Sequence, residues 1–224
     1  MKKSLPNKFI VLDCPDKNDE EWTPKRSLAN FPCPYRCLLA GTPNCGKSTL
    51  IKNLLLQARP LYDRLIIVCC SKDTKDFDEL EPSIVLDKLP SLESFDRNYK
   101  NCLILDDYKP KTSVDKANLD RVFGFVSSHC NTTVIMACQD LFSISSPTIR
   151  RMSNVFFLWK SFDEQQLNMI SKRVGMASET IKTIMKDLDF GKRDSLCIDM
   201  TSNSPAILRK NIYEKIDTKY IPDL

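Results

Sequence analysis

The sequence predicts an α/β fold with a mostly parallel central sheet covered by helices. Near-continuous apolar runs recur along the chain, as strands buried on both faces require. Stretches of helical periodicity lie between them. The first run opens directly into a glycine-rich loop, Gly41-Thr42-Pro43-Asn44-Cys45-Gly46-Lys47-Ser48.

Each element carries its own signal. Residues 1–33 are mixed in character, with an acidic patch at 16–21, and read as an N-terminal arm or edge element; residues 34–224 read as one domain. Residues 35–40 (YRCLLA) form the first strand of this reading. Leu50, Ile51, Leu54 and Leu55 repeat at helical spacing and predict a helix to about Gln57. Residues 65–70 (LIIVCC) and 102–105 (CLIL) are the second and third strands, the third ending in two aspartates. Leu119, Val122, Phe123 and Val126 lie at i, i+3, i+4 and i+7, the mark of an amphipathic helix. Residues 133–138 (TVIMAC) and 155–159 (VFFLW) are the fourth and fifth strands. Ser161 and Glu164 fit a capping box for a helix with Leu167, Ile170 and Val174 on one face. Ser178 reads as the cap of another, carrying Ile181, Ile184, Met185 and Leu188. Residues 196–200 and 206–208 read as a closing hairpin, so a helical and hairpin extension ends the domain.

The bulk numbers set limits on this reading. At 224 residues the chain suits one α/β domain. A chain of that size buries roughly 70 % of its unfolded surface, so it needs no disulfide or metal to fold. The net charge of +4 permits nucleic-acid binding without arguing for it. Ten cysteines and no apolar leader point to free thiols in a reducing, intracellular compartment. Cys33 and Cys37 form one CxxxC pair, and a zinc site needs a second. No apolar stretch approaches the roughly 20 residues of a membrane span.

The loop at 41–48 matches G-x-x-x-x-G-K-[ST] in full, between a strand and a helix. Its glycines let successive backbone N–H groups turn inward on phosphate oxygens, and the following helix adds its positive dipole end. Gly41, Thr42, Pro43, Asn44, Cys45, Gly46, Lys47, Ser48 and Thr49 are therefore the expected nucleotide contacts. Lys47 reaches the terminal phosphates of ATP, and Ser48 offers a hydroxyl to Mg²⁺. Cys45 lies inside the loop, so thiol modification is expected to inhibit. The strand at 102–105 ends in Asp106 and Asp107. The first is the expected Mg²⁺ ligand, through a water, and the second the general base. The fourth strand ends at Gln139, a candidate sensor of γ-phosphate and water. Arg150 and Arg151 precede the fifth strand; an arginine supplied to a neighbouring subunit neutralises charge on the transferring phosphoryl group. Arg150 is the first choice and Arg151 the second.

The stretches GTPNCGKST, LILDD, VIMACQ and PTIRRMSN, in that order, resemble the FtsK/HerA class of DNA-pumping ATPases. More narrowly they resemble the packaging ATPases of poxviruses, giant DNA viruses, virophages and Maverick/Polinton elements, over about residues 35–160. The resemblance implies a P-loop NTPase with an extra strand between the phosphate-loop strand and the Walker B strand, which sets Gln139 between Lys47 and Asp106. It implies a homo-oligomeric ring that hydrolyses ATP and drives double-stranded DNA into a capsid. It further implies docking to capsid or internal-membrane proteins and a place in the host cytoplasm, nucleus or virion. Asp-Asp stands where bacterial members have Asp-Glu, in the manner of the viral ones. Lys109, Lys111 and Lys116 are candidate phosphate contacts on DNA. A nucleoside monophosphate kinase is one alternative, but no arginine-rich lid is visible. A P-loop nucleotide switch is another, but a GTPase would need an NKxD-type motif, and none is found.

Overall fold

The computed structural model describes residues 31–58, 61–69, 77, 80, 83–144, 146–160, 164–201 and 207–216. Most of the expected N-terminal arm, the Ser161 cap, Cys14 and Cys70 lie outside the described residues.

The elements run β1 (Arg36–Ala40), α1 (Lys47–Leu56), β2 (Arg64–Cys69), β3 (Ser83–Leu86), β4 (Asn101–Asp106) and α2 (Ser113–Arg121). They continue with α3 (Ser127–His129), β5 (Thr132–Cys138), α4 (Pro147–Met152), β6 (Val155–Trp159), α5 (Glu164–Val174) and α6 (Ser178–Asp187). β7 (Ser195–Asp199), β8 (Ile207–Lys210) and β9 (Glu214–Lys215) close the chain. One sheet takes all the strands of the described residues, in the order β3-β2-β4-β5-β1-β6-β7-β8-β9. The first six in that order are parallel, and β7, β8 and β9 add antiparallel at one side. The predicted α/β P-loop architecture is thus the observed one, with β5 between β1 and β4 as the extra strand.

The apolar runs are continuous because alternate residues feed two cores. Leu38, Leu103, Leu105, Val134, Met136, Phe156 and Leu158 face a core with residues of α2, α5 and α6. Cys37, Leu39, Cys102, Ile104, Ile135, Ala137 and Phe157 face the other, which α1 covers with Leu50, Ile51, Leu54 and Leu55. A strand buried on both faces has no polar side to alternate with.

Some elements differ from the sequence reading. Leu119, Val122, Phe123 and Val126 are buried together as expected, but on a longer helical stretch. It begins at α2 and passes through a π-helical turn at Val122–Val126 into α3. Its start is a capping box: Thr112 Oγ1 accepts from the Asp115 amide, and the Asp115 carboxylate accepts from the Thr112 amide, both at 3.0 Å. Ser178 is not a cap. The extended residue before α6 is Ala177, and Ser178 is already helical. β3 escaped the reading because it is a short edge strand whose Ile84 and Val85 are 57 % and 41 % exposed.

The antiparallel side is held by a buried ion pair. Arg209 Nη2 lies 2.9 Å from Asp199 Oδ2, with the side chains 2 % and 0 % exposed. The backbone N–H and hydroxyl of Thr201 donate to the other Asp199 oxygen, at 3.0 and 2.6 Å. The Arg209 guanidinium also lies over the Phe31 ring, 5.1 Å from its centroid. Removing one partner strands a buried charge, which costs about 3–5 kcal/mol. Asp199→Ala is therefore expected to lower Tm by roughly 6–20 °C, at about 2–4 °C per kcal/mol for a chain of this size. Replacing both partners with apolar residues should restore much of the loss. Thermal unfolding of the single and double variants checks this; an unchanged Tm in the single variant contradicts it.

Candidate active site

The register of three neighbouring strands builds the site. Ala40 pairs with Cys138 across β1 and β5, and Ala137 pairs with Asp106 across β5 and β4. Parallel strands in flush register, spaced about 4.8 Å apart, deliver their next residues to one edge of the sheet. β1 and β5 end level, so Gly41 and Gln139 emerge side by side, and Asp107 stands level with Cys138, one position before them. The backbone continues the pairing past the strands: the Gly41 amide donates to the Cys138 carbonyl at 3.2 Å, and the Asp107 amide to the Ala137 carbonyl at 3.0 Å.

The loop needs its glycines for two different reasons. A Cβ on Gly41 would lie 2.7 Å from Cys45 Sγ and 2.9 Å from the Trp159 ring, too close for any side chain. Gly46 has φ +106°, a left-handed conformation that L side chains resist. This residue caps α1, so the turn aims the first amides of the helix at the loop's interior. Lys47 is buried, and its Nζ donates to the carbonyls of Gly41 at 2.7 Å and Thr42 at 3.1 Å. Pro43, Asn44, Ser48 and Thr49 border a cleft beside it.

The surroundings of Cys45 bear on its expected sensitivity to thiol reagents. Its side chain is buried under the loop, and burial raises the thiol pKa despite the opposing charge of Lys47. The thiol of Cys138, beneath Gln139, is pushed up to about 12 by burial and then by Asp107. Since the thiolate is the reactive form, both should resist alkylation in the folded protein. A maleimide at pH 8 is expected to label Cys33 and Cys130, which are partly exposed, well before Cys45 or Cys138. Peptide mass spectrometry reads the order. Early labelling of native Cys45 with loss of activity would restore the modification hypothesis.

The two acids occupy different backbone positions. Asp106 is the last residue of β4, and Asp107 turns into the left-handed region at φ +48°. A non-glycine residue held there is strained, and such strain persists only where the surroundings enforce it. Here Gln139 Nε2 donates to Asp107 Oδ2 at 2.8 Å. The sensor candidate and the base candidate are thus directly bonded, which fixes the rotation of the carboxylate. Ser48 and Asp106 border the same cleft. A hydroxyl and a carboxylate are oxygen donors of the kind that Mg²⁺ takes while keeping several waters.

The arginines sit elsewhere. Arg150 and Arg151 lie in the last turn of α4, whose Ser146 caps it by accepting from the Thr148 amide at 3.1 Å. Arg150 Nη1 donates to the Ile144 carbonyl at 2.8 Å, and Arg151 is exposed. Among the described residues, neither borders the cleft. Lys109, Lys111 and Lys116 are exposed on and just after the segment that leaves Asp107.

The cleft, about 790 Å³, extends beyond the phosphate loop to residues that the sequence reading did not select. Asn53 of α1 and Trp159 of β6 border it, with Arg193 from the turn before β7 and Asn211, Ile212 and Tyr213 from the turn between β8 and β9. No local motif marks them. Arg193 and residues 211–213 arrive through the antiparallel strands, more than 100 positions after the loop.

A phosphate loop on β1, paired acids ending β4, and a strand-end glutamine between them define a P-loop NTPase fold of the kind with an added central strand. Among solved structures, the chain is similar to the genome packaging NTPase B204 from Sulfolobus turreted icosahedral virus 2. The complex with sulfate has TM-score 0.59 and 20 % identity, covering 82 % of this chain and 100 % of that one. The complex with AMP has TM-score 0.59 and 18 % identity, covering 80 % and 98 %. The cytoplasmic domain of the Type VII secretion ATPase EccC from Thermomonospora curvata follows at TM-score 0.51 and 12 % identity, covering 80 % of this chain and 25 % of that one. No family model matches the chain. Among curated proteins, it is similar to Mitochondrial GTPase 1 of Saccharomyces cerevisiae, 42 % identical over 62 residues. That stretch covers 23 % of this chain and only 17 % of that protein. The packaging-ATPase resemblance drawn from short motifs thus meets structural neighbours of the same description.

Proposed function

We propose that this chain is an ATP-hydrolysing motor that moves double-stranded DNA, and that its task is packaging a viral genome into a capsid. The observation that carries the reading is the single cleft in which the phosphate loop faces Asp106, Asp107 and the Gln139–Asp107 bond. Support comes from the neighbours: B204 is described as a genome packaging NTPase and has been solved with AMP, AMPPCP and ATP-gammaS.

In this reading the loop amides and Lys47 bind the β- and γ-phosphates, with Lys47 giving up its bonds to the loop carbonyls. Ser48 and Asp106 hold Mg²⁺, which when bound neutralises charge on the phosphates. Asp107 takes a proton from the attacking water, and Gln139 positions both the carboxylate and that water. Arg150 or Arg151 acts on the site of the next subunit in a ring. Exposed Lys109, Lys111 and Lys116 contact DNA phosphates without reading sequence. The setting is the interior of an infected host cell, with a capsid or internal-membrane protein as the dock.

The test is ATP hydrolysis with and without linear double-stranded DNA, with Lys47→Ala as the inactive control. Stimulation that falls as salt rises is expected, because phosphate contacts release counterions. ATP hydrolysis indifferent to DNA at every salt concentration would sink the translocation reading. One observation favours a second reading, a nucleotide switch: the 62-residue likeness to Mitochondrial GTPase 1. A clear preference for GTP with turnover too slow for a motor would support that alternative.

A further inference from the structure

The geometry points to the turn between β8 and β9 as the base-binding side of the nucleotide site, with Tyr213 as the ring on which the nucleobase stacks. This rests on the nucleotide reading above. The cleft is of a size that holds a nucleotide-sized ligand. Its phosphate end is accounted for by the loop, the two acids and Gln139. Its other end is lined by groups with no part in phosphate chemistry; of the two aromatic residues on the cleft, Trp159 is buried and Tyr213 is 48 % exposed.

Tyr213 is fixed at both ends. At its tip, the Gln57 side-chain amide donates to the Tyr213 hydroxyl. Gln57 caps the C-terminal end of α1, ten residues after Lys47 and about 15 Å along the helix. That span suits an extended nucleoside triphosphate lying along α1 with its phosphates on Lys47. At its base, the turn is pinned by Asn211, which adopts φ +57°. The Asn211 oxygen accepts from the Ser195 amide, and its amide group donates to Asp194 Oδ1, both at 3.0 Å. Ile212 buries its side chain in the core beneath. An aromatic face held in place loses little freedom when a base lands on it, so its stacking energy is kept as affinity.

Arg193 closes the same end from the opposite turn. The Trp159 indole N–H donates to the Arg193 carbonyl at 3.3 Å, which ties this backbone to the end of β6. Arg193 is exposed and borders the cleft, and its guanidinium is a planar cation suited to lie against a base or ribose. Stacking reads the presence of a ring and not its hydrogen-bonding edge. The two carboxylates lining the cleft, among the described residues, are Asp106 and Asp107 at the phosphate end.

The experiment titrates the full chain with ATP and, separately, with inorganic tripolyphosphate, by calorimetry in the presence of magnesium. Tyr213→Ala is expected to weaken ATP binding about 5- to 150-fold, as loss of one base–aromatic stack does. Tripolyphosphate binding should be unchanged, and Tyr213→Phe should keep ATP affinity within a few-fold. Unchanged ATP affinity in Tyr213→Ala overturns the assignment, as does an equal loss for both ligands. If Tyr213→Ala melts well below wild type, Tyr213→Leu carries the same two outcomes, since it keeps apolar bulk without the ring. Wild-type protein that binds neither ligand removes the nucleotide reading itself, a result distinct from failure of the Tyr213 assignment alone.

Discussion

Replacing Asp107 by alanine is expected to lower kcat for ATP hydrolysis by about 10²- to 10⁴-fold, the range for a lost general base. ATP affinity should stay within a few-fold of wild type, because Lys47 and the loop amides are untouched. The expectation rests on where the carboxylate stands. Asp107 follows the last residue of β4, in a left-handed conformation, with one oxygen accepting from Gln139 at 2.8 Å. Aspartate is one methylene shorter than glutamate, so its reach must be set by the backbone and by a partner. Gln139→Ala should therefore reproduce part of the Asp107→Ala loss. The double variant should lose little more than Asp107→Ala alone, since residues acting as a unit are not additive. Steady-state rates and nucleotide binding on all three variants decide it. An Asp107→Ala protein with near-normal kcat would remove the base assignment; lost ATP binding would make Asp107 a binding residue instead.

Arg150→Ala is expected to lower turnover by about 10³- to 10⁵-fold if it is the finger. Arg151→Ala should then cost only a few-fold, and the opposite pattern would transfer the role to Arg151. Both residues sit on α4, outside the cleft of their own chain, as a group acting on a neighbour must. The bond from Arg150 to the Ile144 carbonyl means that the variant must also be checked for Tm. Mixing separates the two geometries. An Arg150→Ala subunit keeps a complete cleft, and an Asp107→Ala subunit keeps its arginine. If the arginine acts across a subunit boundary, mixed assemblies regain activity that neither variant has alone. No regain on mixing, from subunits shown to co-assemble, would place the arginine's role within one chain.

Much of the fold was legible because the strands at 37–40, 102–105, 134–138 and 155–159 are buried on both faces and are therefore apolar throughout. The phosphate loop was legible for a local reason: phosphate binding constrains eight consecutive residues, so the whole device is written in one stretch. Asp106 and Gln139 could be selected because each directly follows an apolar strand residue, and Asp107 because it is the next acid after Asp106; strand ends face the site in a parallel sheet. Edge strand β3 was missed because its residues are short in number and half out of the core. The cap at Thr112 carries a T-x-x-D pattern but stands well ahead of the apolar stripe that begins at Leu119, because the first turns of α2 are mostly polar and exposed.

The sequence by itself determined the layered α/β architecture, the phosphate loop and the acids opposite it, since each is set by local pattern and side-chain chemistry. The tertiary structure alone decided that Gln139 bonds Asp107, that Cys45 is shielded, and that Arg193 and Tyr213 reach the cleft. Those facts depend on strand order and register. The order β4-β5-β1 brings together positions dozens of residues apart, and the antiparallel strands β7 to β9 return the chain to α1. A contact between distant segments has no periodicity and no spacing in the sequence, because it is created only when the sheet closes around them.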